Sequence, residues 1–543
     1  RLLRRKGAAG GHTPHGHHEP NWIERIYLGT LTWSLNHRWV IVGICLVTLG
    51  STYFLNQRIG RDWMPQEDQS ELGIFLELPE GSSLERTERV TMEMLAKIDK
   101  VPGVILTVPG SSQFLDRVTM SFSTVLLAPP SERGSIEEMG QKVREAIKDY
   151  AQYRPRINFP NVLGGRDTFS PIRLQILGPD INKLVSISKD ALIEMQKEPS
   201  LADLKANLNL NNPELQVTID RQLASDLGVR VSDIAGAVRL LMSGEDEIST
   251  FKEDSEQYPV TMRLMPGQRD DPTVVSRLLV PSARLGLIRL DSVASLERGL
   301  GPSRIDRYAR QFSVGIYGNV ASGHALGEAA DAATAAIERV GMPVGYQSVF
   351  SGQVKVLEET TANMLMAMSL ASIFMYMVLA AQFESLLHPF IIMATLPLSI
   401  PFALFSLIAT GRSLNLFSAL GVLLLLGIVK KNGILQIDYM NHLRAEGLPL
   451  RQAILEANRV RLRPILTTTL SIIAGLIPTA IGMGVGASQR SAIAVTIIGG
   501  QSLCLILTLL VVPVGYSLIE DARAWFARGK RSEEAAVSPA HGD

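Results

Sequence analysis

Six stretches of the chain are almost continuously apolar, and each is long enough to cross a membrane as a helix. The first covers about residues 39–55 and needs some help from its flanks, and the other five follow residue 351. These five are residues 363–381, 386–410, 414–439, 464–483 and 491–518. The pattern predicts six transmembrane helices, with kinks in the span of residues 386–410 at Pro389, Pro397 and Pro401.

Residues 22–36, before the first span, have the pattern of an amphipathic helix. Its large apolar residues Trp22, Ile26, Leu31 and Trp33 are typical of an element that lies in a membrane surface. An ordinary linker helix has a similar pattern, so both interpretations stay open.

The basic residues set the orientation of the six spans, because Lys and Arg concentrate on the cytoplasmic side. The opposite short loops contain only Arg412 and Arg490. The enriched side holds Arg1, Arg4, Arg5, Lys6, Arg25 and Arg38, then Arg444, Arg451, Arg459, Arg461 and Arg463, then Arg523, Arg528, Lys530 and Arg531. We therefore expect cytoplasmic termini and a large outer segment of about residues 56–351.

The outer segment alternates strand-like and helix-like patterns. Its first part predicts strands at 72–78, 104–108, 118–127 and 156–159 and helices at 83–100 and 136–150. The order βαββαβ is that of a ferredoxin-like unit.

A second copy of this unit follows and is interrupted by an insertion. It begins with a strand at 172–177, a helix at 180–196 and a strand at 214–219. The insertion holds a helix at 231–242 and strands at 257–264 and 286–290, after which the copy resumes with a strand at 311–317 and a helix at 325–340. The pattern predicts two ferredoxin-like units, the second one split.

Composition narrows the class of function. Lys+Arg and Asp+Glu both number 53, and this zero net charge argues against a nucleic-acid-binding protein. The two cysteines, Cys45 and Cys504, lie in apolar runs, which argues against a disulfide framework or a cysteine metal site. No phosphate-binding glycine loop, HExxH or CxxC motif occurs, so we expect neither an enzyme nor a resident metal or cofactor.

The N-terminal residues have two notable features. His12, His15, His17 and His18 form a short run that suits either weak metal binding or a solvated linker. The chain starts with Arg1 rather than Met, and no apolar signal core follows the basic residues. We therefore expect that the sequence begins inside a longer protein.

Two lysines, Lys430 and Lys431, lie near the middle of the span of residues 414–439. A charged lysine is costly there and normally pairs with an acid. Asp438 is about 10 Å away along the helix axis, and Glu384 falls in a cytoplasmic loop. The partner is thus expected from another chain or from a missing half. Such a pair would act either as a proton-coupling device or as a static bridge between helices.

The next span opens with basic and hydroxyl residues that suit a proton path. Arg461 and Arg463 lie at its cytoplasmic end, and Thr467, Thr468 and Thr469 follow just inside. Threonine hydroxyls either relay protons through water or bond back to their own helix.

Several motifs together resemble one transporter family over about residues 22–518. They are DWMPQEDQSELGIFLELPEGSS, AAQFESLLHPFIIMATLPLSIPFALF, GIVKKNGILQIDYMN, RVRLRPILTTTL and SAIAVTIIGGQSLCLILTLLVVPV. These motifs are similar to those of resistance-nodulation-division (RND) transporters, in the hydrophobe/amphiphile efflux branch. A complete member has twelve spans in two similar halves, and this chain resembles the second half.

The resemblance implies a particular domain division. It has a cytoplasmic or interfacial segment (1–38), a transmembrane helix (39–57), a periplasmic porter subdomain (58–170), a second porter subdomain in two parts (171–230 and 302–350), a docking subdomain (231–301), a bundle of five transmembrane helices (351–518) and a cytoplasmic tail (519–543).

The resemblance also implies a proton relay and an assembly. Its relay residues match Lys431, Asn432, Arg461 and Thr468, and the two aspartates that they serve belong to the other half. The expected protein is a homotrimer in the bacterial inner membrane, driven by the proton gradient without a cofactor. A periplasmic adaptor and an outer-membrane channel would complete the export path.

The substrate is less well defined by the sequence. Drug-exporting relatives have an aromatic, glycine-rich switch loop, and the corresponding VPGSSQFLDRVTMSFS is shorter and poorer in aromatic residues. Gln113, Phe114 and Phe122 are the candidate substrate-binding residues, although strand alternation favours a core position for Phe122. Small amphiphilic compounds are the expected substrates, and a lipid or metal-ion exporter and a non-transporting membrane scaffold are the alternatives. The cluster Met364, Met366, Met368, Met375 and Met377 is better explained by membrane packing than by copper binding.

Overall fold

The structure is a computed structural model. It describes residues 21–537 except 111–117, 154, 161–169, 208–211, 245, 270, 302–304, 483 and 485. The candidate substrate residues Gln113 and Phe114 and the histidine run of residues 12–18 lie outside the described residues.

The chain begins with helix α1 (Trp22–Asn36), which has the bounds that the sequence predicts. Tyr27, Leu31 and Leu35 follow each other at four-residue spacing and are buried against the membrane helices. The Tyr27 hydroxyl donates a hydrogen bond of 3.0 Å to the backbone oxygen of Leu509. Leu31 therefore belongs to the core, whereas Trp22 remains exposed.

Helix α2 (Arg38–Arg58) leads into the first α/β unit. The unit consists of β1 (Glu71–Glu77), α3 (Leu84–Ile98), β2 (Val104–Val108), β3 (Met120–Leu127), α4 (Ile136–Ala146) and β4 (Arg156–Asn158). The strands form an antiparallel sheet of order β2-β3-β1-β4. Side chains from both helices, such as Met94 and Met139, pack on Ile74 and cover one face of the sheet.

The second unit is discontinuous in sequence. Its elements and those of the insertion are β5 (Ile172–Gly178), α5 (Ile181–Met195), β6 (Leu201–Ala206), β7 (Asn212–Ile219), α6 (Arg221–Asp226), α7 (Val231–Met242), β8 (Glu247–Glu253), β9 (Glu256–Thr261), α8 (Pro266–Arg269), α9 (Pro272–Ser276), β10 (Leu279–Ser282), β11 (Gly286–Arg289), β12 (Ala294–Gly301), β13 (Arg307–Tyr308), β14 (Gln311–Val320), α10 (Leu326–Val340) and β15 (Gln347–Ser351). Its sheet has the order β13-β14-β5-β15, and β6 pairs with β14.

The sequence assigned the wrong strand to this sheet. The predicted strand at 214–219 is part of β7, which pairs with β12 and leads into the insertion, and β6 takes its place. Strand β6 has a positive φ of 51° at Asp203, and its pairing with β14 changes register there. A bulge of this kind interrupts the alternation on which strand prediction depends. Strand β15 was also not predicted.

The insertion has a small core of its own, formed by residues such as Ala224, Ile234, Val280 and Leu290. The predicted strands at 257–264 and 286–290 correspond to β9 and β11. The hairpin of β8 and β9 extends into solvent, because every residue of both strands is exposed. This hairpin is held mainly by its own backbone pairing.

Six helical stretches in the described part of the chain are long and apolar enough to cross a membrane, which confirms the prediction. The first is α2, and the others are α11 (Gln353–Phe383), α12 (Leu387–Ala394) continued by α13 (Leu396–Ala409), α14 (Leu416–Ala445), α15 (Leu450–Ile481) and α16 (Ala487–Val537). About half of the apolar stretch is buried in α12–α13, α14 and α16, but only 6%, 6% and 11% in α2, α11 and α15. The first three therefore form the centre of the bundle.

The predicted kink lies at Thr395, where α12 ends and α13 begins. Pro397 follows in the first turn of α13, where its missing N–H leaves no helical hydrogen bond unmade. Pro401 lies inside α13 and is tolerated there, as in other membrane helices.

Candidate functional site

The two intramembrane lysines point in different directions from α14. Lys431 is exposed on the surface of the chain, and Lys430 is partly buried. Among the described residues, no carboxylate lies within 4.0 Å of either ammonium group, and Asp438 does not reach Lys431. The structure thus presents a charged side chain at mid-span with no acid from the same described segments to balance it.

Asn432 lies about 100° around α14 from Lys431, on the packed side of the helix. It is 3% exposed, and Gln436, one turn further along the same face, is 0% exposed. The next turn brings Met440 against Asn458 of α15, whose side-chain oxygen accepts a hydrogen bond from Tyr27. Asn432, Gln436 and Asn458 therefore form a row of buried polar side chains inside the bundle, while Lys431 faces away from it.

Arg461 on α15 lies near the C-terminal end of α14. Its guanidinium carbon is 4.7 Å from the centre of the Tyr439 ring, a distance that allows a cation–π interaction. Tyr439 is eight residues beyond Lys431, or about 12 Å along the helix axis. The Nε atom of Arg461 is buried and has no hydrogen-bond partner in the described part of the chain.

Thr468 is brought to the depth of Lys431 by the antiparallel packing of α14 and α15. It lies seven residues beyond Arg461, about 10 Å toward the outer side, on nearly the same helix face. The contact between Arg461 and Tyr439 sets the register of the two helices: Thr468 lies about 10 Å from it along α15, and Lys431 about 12 Å from it along α14. The structure therefore places Lys431, Asn432 and Thr468 at one level, with Arg461 about two turns away.

The threonine hydroxyls bond mainly to their own helix. Thr467 donates to the Arg463 oxygen at 2.9 Å, and Thr468 donates to the Ile465 oxygen at 3.2 Å. A hydroxyl that donates in this way can still accept a hydrogen bond through its oxygen lone pairs. Back-bonding and a relay role are therefore compatible for Thr468.

Two buried polar residues lie near these groups, Thr469 from the predicted threonine run and Gln436, which the sequence pattern did not indicate. Gln436 has both amide atoms, and Thr469 its hydroxyl, buried without a hydrogen-bond partner among the residues that the structure describes. Buried polar groups are normally satisfied by protein or water, so such groups indicate a water or a partner. The available signal was a glutamine four residues after Asn432, which a search for charges alone overlooks.

A cleft of about 310 Å³ opens between the two α/β units. Its walls include Glu137 and Phe159 from the first unit, Asp203 and Asn319 from the second, and Trp63 from the segment that follows α2. Arg144 of the first unit approaches Asp203 of the second at 3.5 Å, and Asn319 donates to the same carboxylate at 3.0 Å. Lys205 and Glu77 form a second ion pair between the units. The cleft is thus bordered by polar contacts.

Phe122 lies on the face of its sheet that the helices do not cover. It is partly buried against Phe75, with 4.7 Å between the ring centres, and Gly73 leaves room for its ring. It does not belong to the core between the sheet and α3 and α4, so the favoured core assignment was wrong. Phe122 does not line the cleft.

A second cavity of about 570 Å³ lies at the outer end of the helix bundle. Arg58, Asp62, Glu328 and Arg412 contribute charged groups to its wall. Burial raises the pKa of the Asp62 carboxyl above its ordinary value, although hydrogen bonds from the Leu326 amide and the Ser413 side chain oppose this shift. The same cavity therefore contains an acid that is easier to protonate than a surface aspartate.

Replacing Asp62 with Asn should stabilise the fold more at neutral pH than in acid. Since the pKa of Asp62 is raised in the fold, its stabilising contribution is complete below the ordinary aspartate pKa of about 3.9 and is lost as the pH rises through the folded value. An asparagine side chain at this position would not titrate. Melting temperatures of both proteins from pH 3 to pH 8 (roughly the range in which carboxyls titrate) should diverge as the pH rises, and a constant difference would contradict this assignment.

Among the described residues, no group of three or more His, Cys, Asp or Glu side chains is arranged to hold a metal ion. The methionines of α11 divide between two environments. Met368 and Met375 pack on core clusters of the bundle, and Met366 and Met377 are exposed on its surface. This distribution fits membrane packing.

The fold and the site define a multi-pass membrane protein with a large α/β domain outside the bundle. The model of the AcrB/AcrD/AcrF family matches residues 15–520, and the chain therefore belongs to this family of RND efflux transporters. This result agrees with the resemblance seen in the motifs.

Individual relatives agree with the family. The chain is 28% identical over 516 residues to the multidrug resistance protein MdtC of Yersinia enterocolitica and, equally, to that of Yersinia pestis. The match covers 93% of this chain and 50% of each relative, so the chain spans about half the length of the curated relatives it matches. A crystal structure of a heavy metal efflux pump shares the fold, with a TM-score of 0.80 at 23% identity over 92% of this chain and 52% of that chain.

Proposed function

We propose that this chain is part of an RND pump that uses the proton gradient to export small hydrophobic or amphiphilic compounds. The observation that carries the proposal is Lys431, a mid-span ammonium group that faces away from its own bundle beside the buried Asn432. A charge in this position requires a carboxylate partner. Protonation of that partner would weaken the attraction and allow α14 to move.

The remaining relay residues fit this mechanism by position. Thr468 lies at the depth of Lys431, where its hydroxyl oxygen can accept a hydrogen bond from a proton-carrying group. Arg461 keeps a positive charge near the cytoplasmic end, where a proton would leave. The partner acids would come from a part of the protein that pairs with this chain, which spans about half of its curated relatives.

The outer domain is proposed to be periplasmic and to contain two ferredoxin-like porter units and a docking subdomain. The order β2-β3-β1-β4 with antiparallel neighbours supports this assignment for the first unit. The separate core of the insertion supports a distinct subdomain. The cytoplasmic termini follow from the distribution of Lys and Arg.

The cleft between the units is proposed as the substrate entrance. The contacts that border it include exposed ion pairs such as Arg144–Asp203, which are individually weak. Such an interface can open without a large loss of stability. Trp63 and Phe159 supply apolar surface inside an otherwise polar cleft, which suits an amphiphile.

The assembly is proposed to be a homotrimer that works with a periplasmic adaptor and an outer-membrane channel. The fully exposed β8–β9 hairpin supports this proposal because it carries apolar side chains, such as Phe251 and Tyr258, into solvent. Exposed apolar surface of this kind is typical of a protein contact. The pump would need no cofactor and perform no covalent chemistry.

The metal alternative has a specific observation in its favour, the fold shared with a heavy metal efflux pump. Expression of the whole protein, as its gene encodes it, in a bacterial strain without its own RND pumps would separate the possibilities. Loss of an accumulated amphiphilic dye that stops after addition of a protonophore would support the proposal. Protonophore-sensitive resistance to copper or zinc salts, without dye export, would favour the metal exporter. The absence of both dye export and metal resistance would point to a scaffold.

A further inference from the structure

The segment after α2 joins the membrane bundle to the outer domain. The Asp62 amide donates to the Leu414 oxygen at 3.0 Å, and the Leu414 amide donates to the Gly60 oxygen at 2.8 Å. The Leu416 amide, at the start of α14, donates to the Trp63 oxygen at 3.2 Å. This short parallel pairing fixes residues 60–63 to the outer end of the helix that carries Lys431.

The same segment also holds the start of α10 in the second α/β unit. The Asp62 carboxylate accepts a hydrogen bond of 2.8 Å from the Leu326 amide, and the Arg61 oxygen accepts one of 2.8 Å from the Gly327 amide. The residue before α10 is Ala325, whose side chain cannot cap the helix. Asp62 therefore supplies the N-terminal cap of α10 from 264 residues away in sequence.

Rigid elements lie on both sides of Asp62. Lys431 is fifteen residues after Leu416 on one continuous helix, a distance of about 22 Å. On the other side, Leu326, Ala329 and Ala333 of α10 are buried in the core of the second unit. Leu326, the first residue of α10, also lines the cleft, so a movement of α10 changes a wall of the proposed entrance.

We propose that the Asp62 side chain is a positioning residue that couples movement of α14 to movement of α10. The hydrogen bond to Leu326 joins the two elements through one carboxylate, and the Ser413 side chain steadies this carboxylate from the bundle side. This inference rests on the proposed function, because it assigns a route by which the state of Lys431 would reach the cleft.

The first test compares three variants of the whole protein in proteoliposomes. Asp62→Ala should lower the maximal transport rate roughly tenfold with little change in KM, a loss within the range known for coupling residues. Asp62→Asn keeps an acceptor oxygen for the Leu326 amide and should retain most of the rate. Asp180→Ala is the matched control, because Asp180 caps α5 in the same unit through the amides of Asn182 and Lys183.

The results of this comparison decide between coupling and simple helix capping. A normal rate in Asp62→Ala would overturn the proposal. An equal loss in Asp180→Ala would do so as well, because the effect would then reflect a weaker α/β unit. If Asp62→Asn fails like Asp62→Ala, the hydrogen bond is not the link and the proposal is also wrong.

A second measurement is independent of transport. In lipid nanodiscs, Lys431→Met should change the rate of amide hydrogen exchange along α10 when residue 62 is Asp or Asn, but not when it is Ala. A response in the Ala background would overturn the coupling route. If the wild-type protein transports nothing but shows the dependent response, the proposed function fails while the Asp62 route stands.

Discussion

Lys431→Met should abolish proton-driven transport, with a loss of roughly 100-fold, near the upper end of coupling between two sites. Methionine keeps much of the length and helix propensity of lysine but removes the charge. The partner acids would then lose the group that senses their protonation, and α14 would lack the electrostatic reason to move. Transport into proteoliposomes under an imposed pH gradient measures this effect directly.

The adjacent lysine provides the matched control. Lys430→Met removes the same charge one residue away, about 100° around α14, from a partly buried position. We expect it to retain most of the transport rate and the same folded yield as Lys431→Met. Equal losses in the two variants would show that positive charge in this span, rather than the outward position of Lys431, is what transport requires.

Gly421→Leu should prevent correct packing of the bundle. A Cβ atom at Gly421 would lie 2.9 Å from the Thr496 Cβ and 3.1 Å from the Ile493 backbone oxygen of α16. Small residues allow membrane helices to approach closely, and a backbone oxygen on the facing helix cannot move aside as a side-chain end can. Overpacking usually costs about 1–3 kcal/mol, and a leucine at this contact should reach the upper part of that range.

Gly50→Leu in α2 is the control, because no atom lies within 4 Å of a Cβ at this position. The folded, monodisperse yield after detergent extraction should fall sharply for Gly421→Leu and stay near wild type for Gly50→Leu. A normal yield for Gly421→Leu would mean that α14 and α16 are packed less closely than the structure shows. Total transport in the preparation should fall in proportion to the folded yield.

The membrane part of the fold could be read from the sequence because its signal is local. A run of apolar residues is itself the property that a bilayer selects, so all six spans were predicted. Their full lengths were not predicted. Helix α15 begins at Leu450, well before the apolar run at 464, since its first turns are polar and carry no such signal. The bounds of α1 were found for the same local reason, but its buried face was not.

The outer domain shows where local signals fail. Strands with a clear apolar signal were found, such as β1 with its continuous buried run and β3 with its regular alternation, and β6 with its bulge at Asp203 was not. The role of strand 214–219 was assigned wrongly because a strand's partner is a property of the whole chain. Pairing of β7 with β12 joins residues about 80 positions apart, which no window of sequence contains.

The sequence by itself determined the class of protein, the six spans and the presence of an intramembrane lysine, because composition and periodicity are written residue by residue. Family motifs added Asn432, Arg461 and Thr468 as relay candidates. Only the tertiary structure decided which lysine faces outward, that Thr468 shares its depth, and that Asp62 caps a helix 264 residues away. These features depend on helix rotation and on contacts between distant segments, which exist only after the chain has packed.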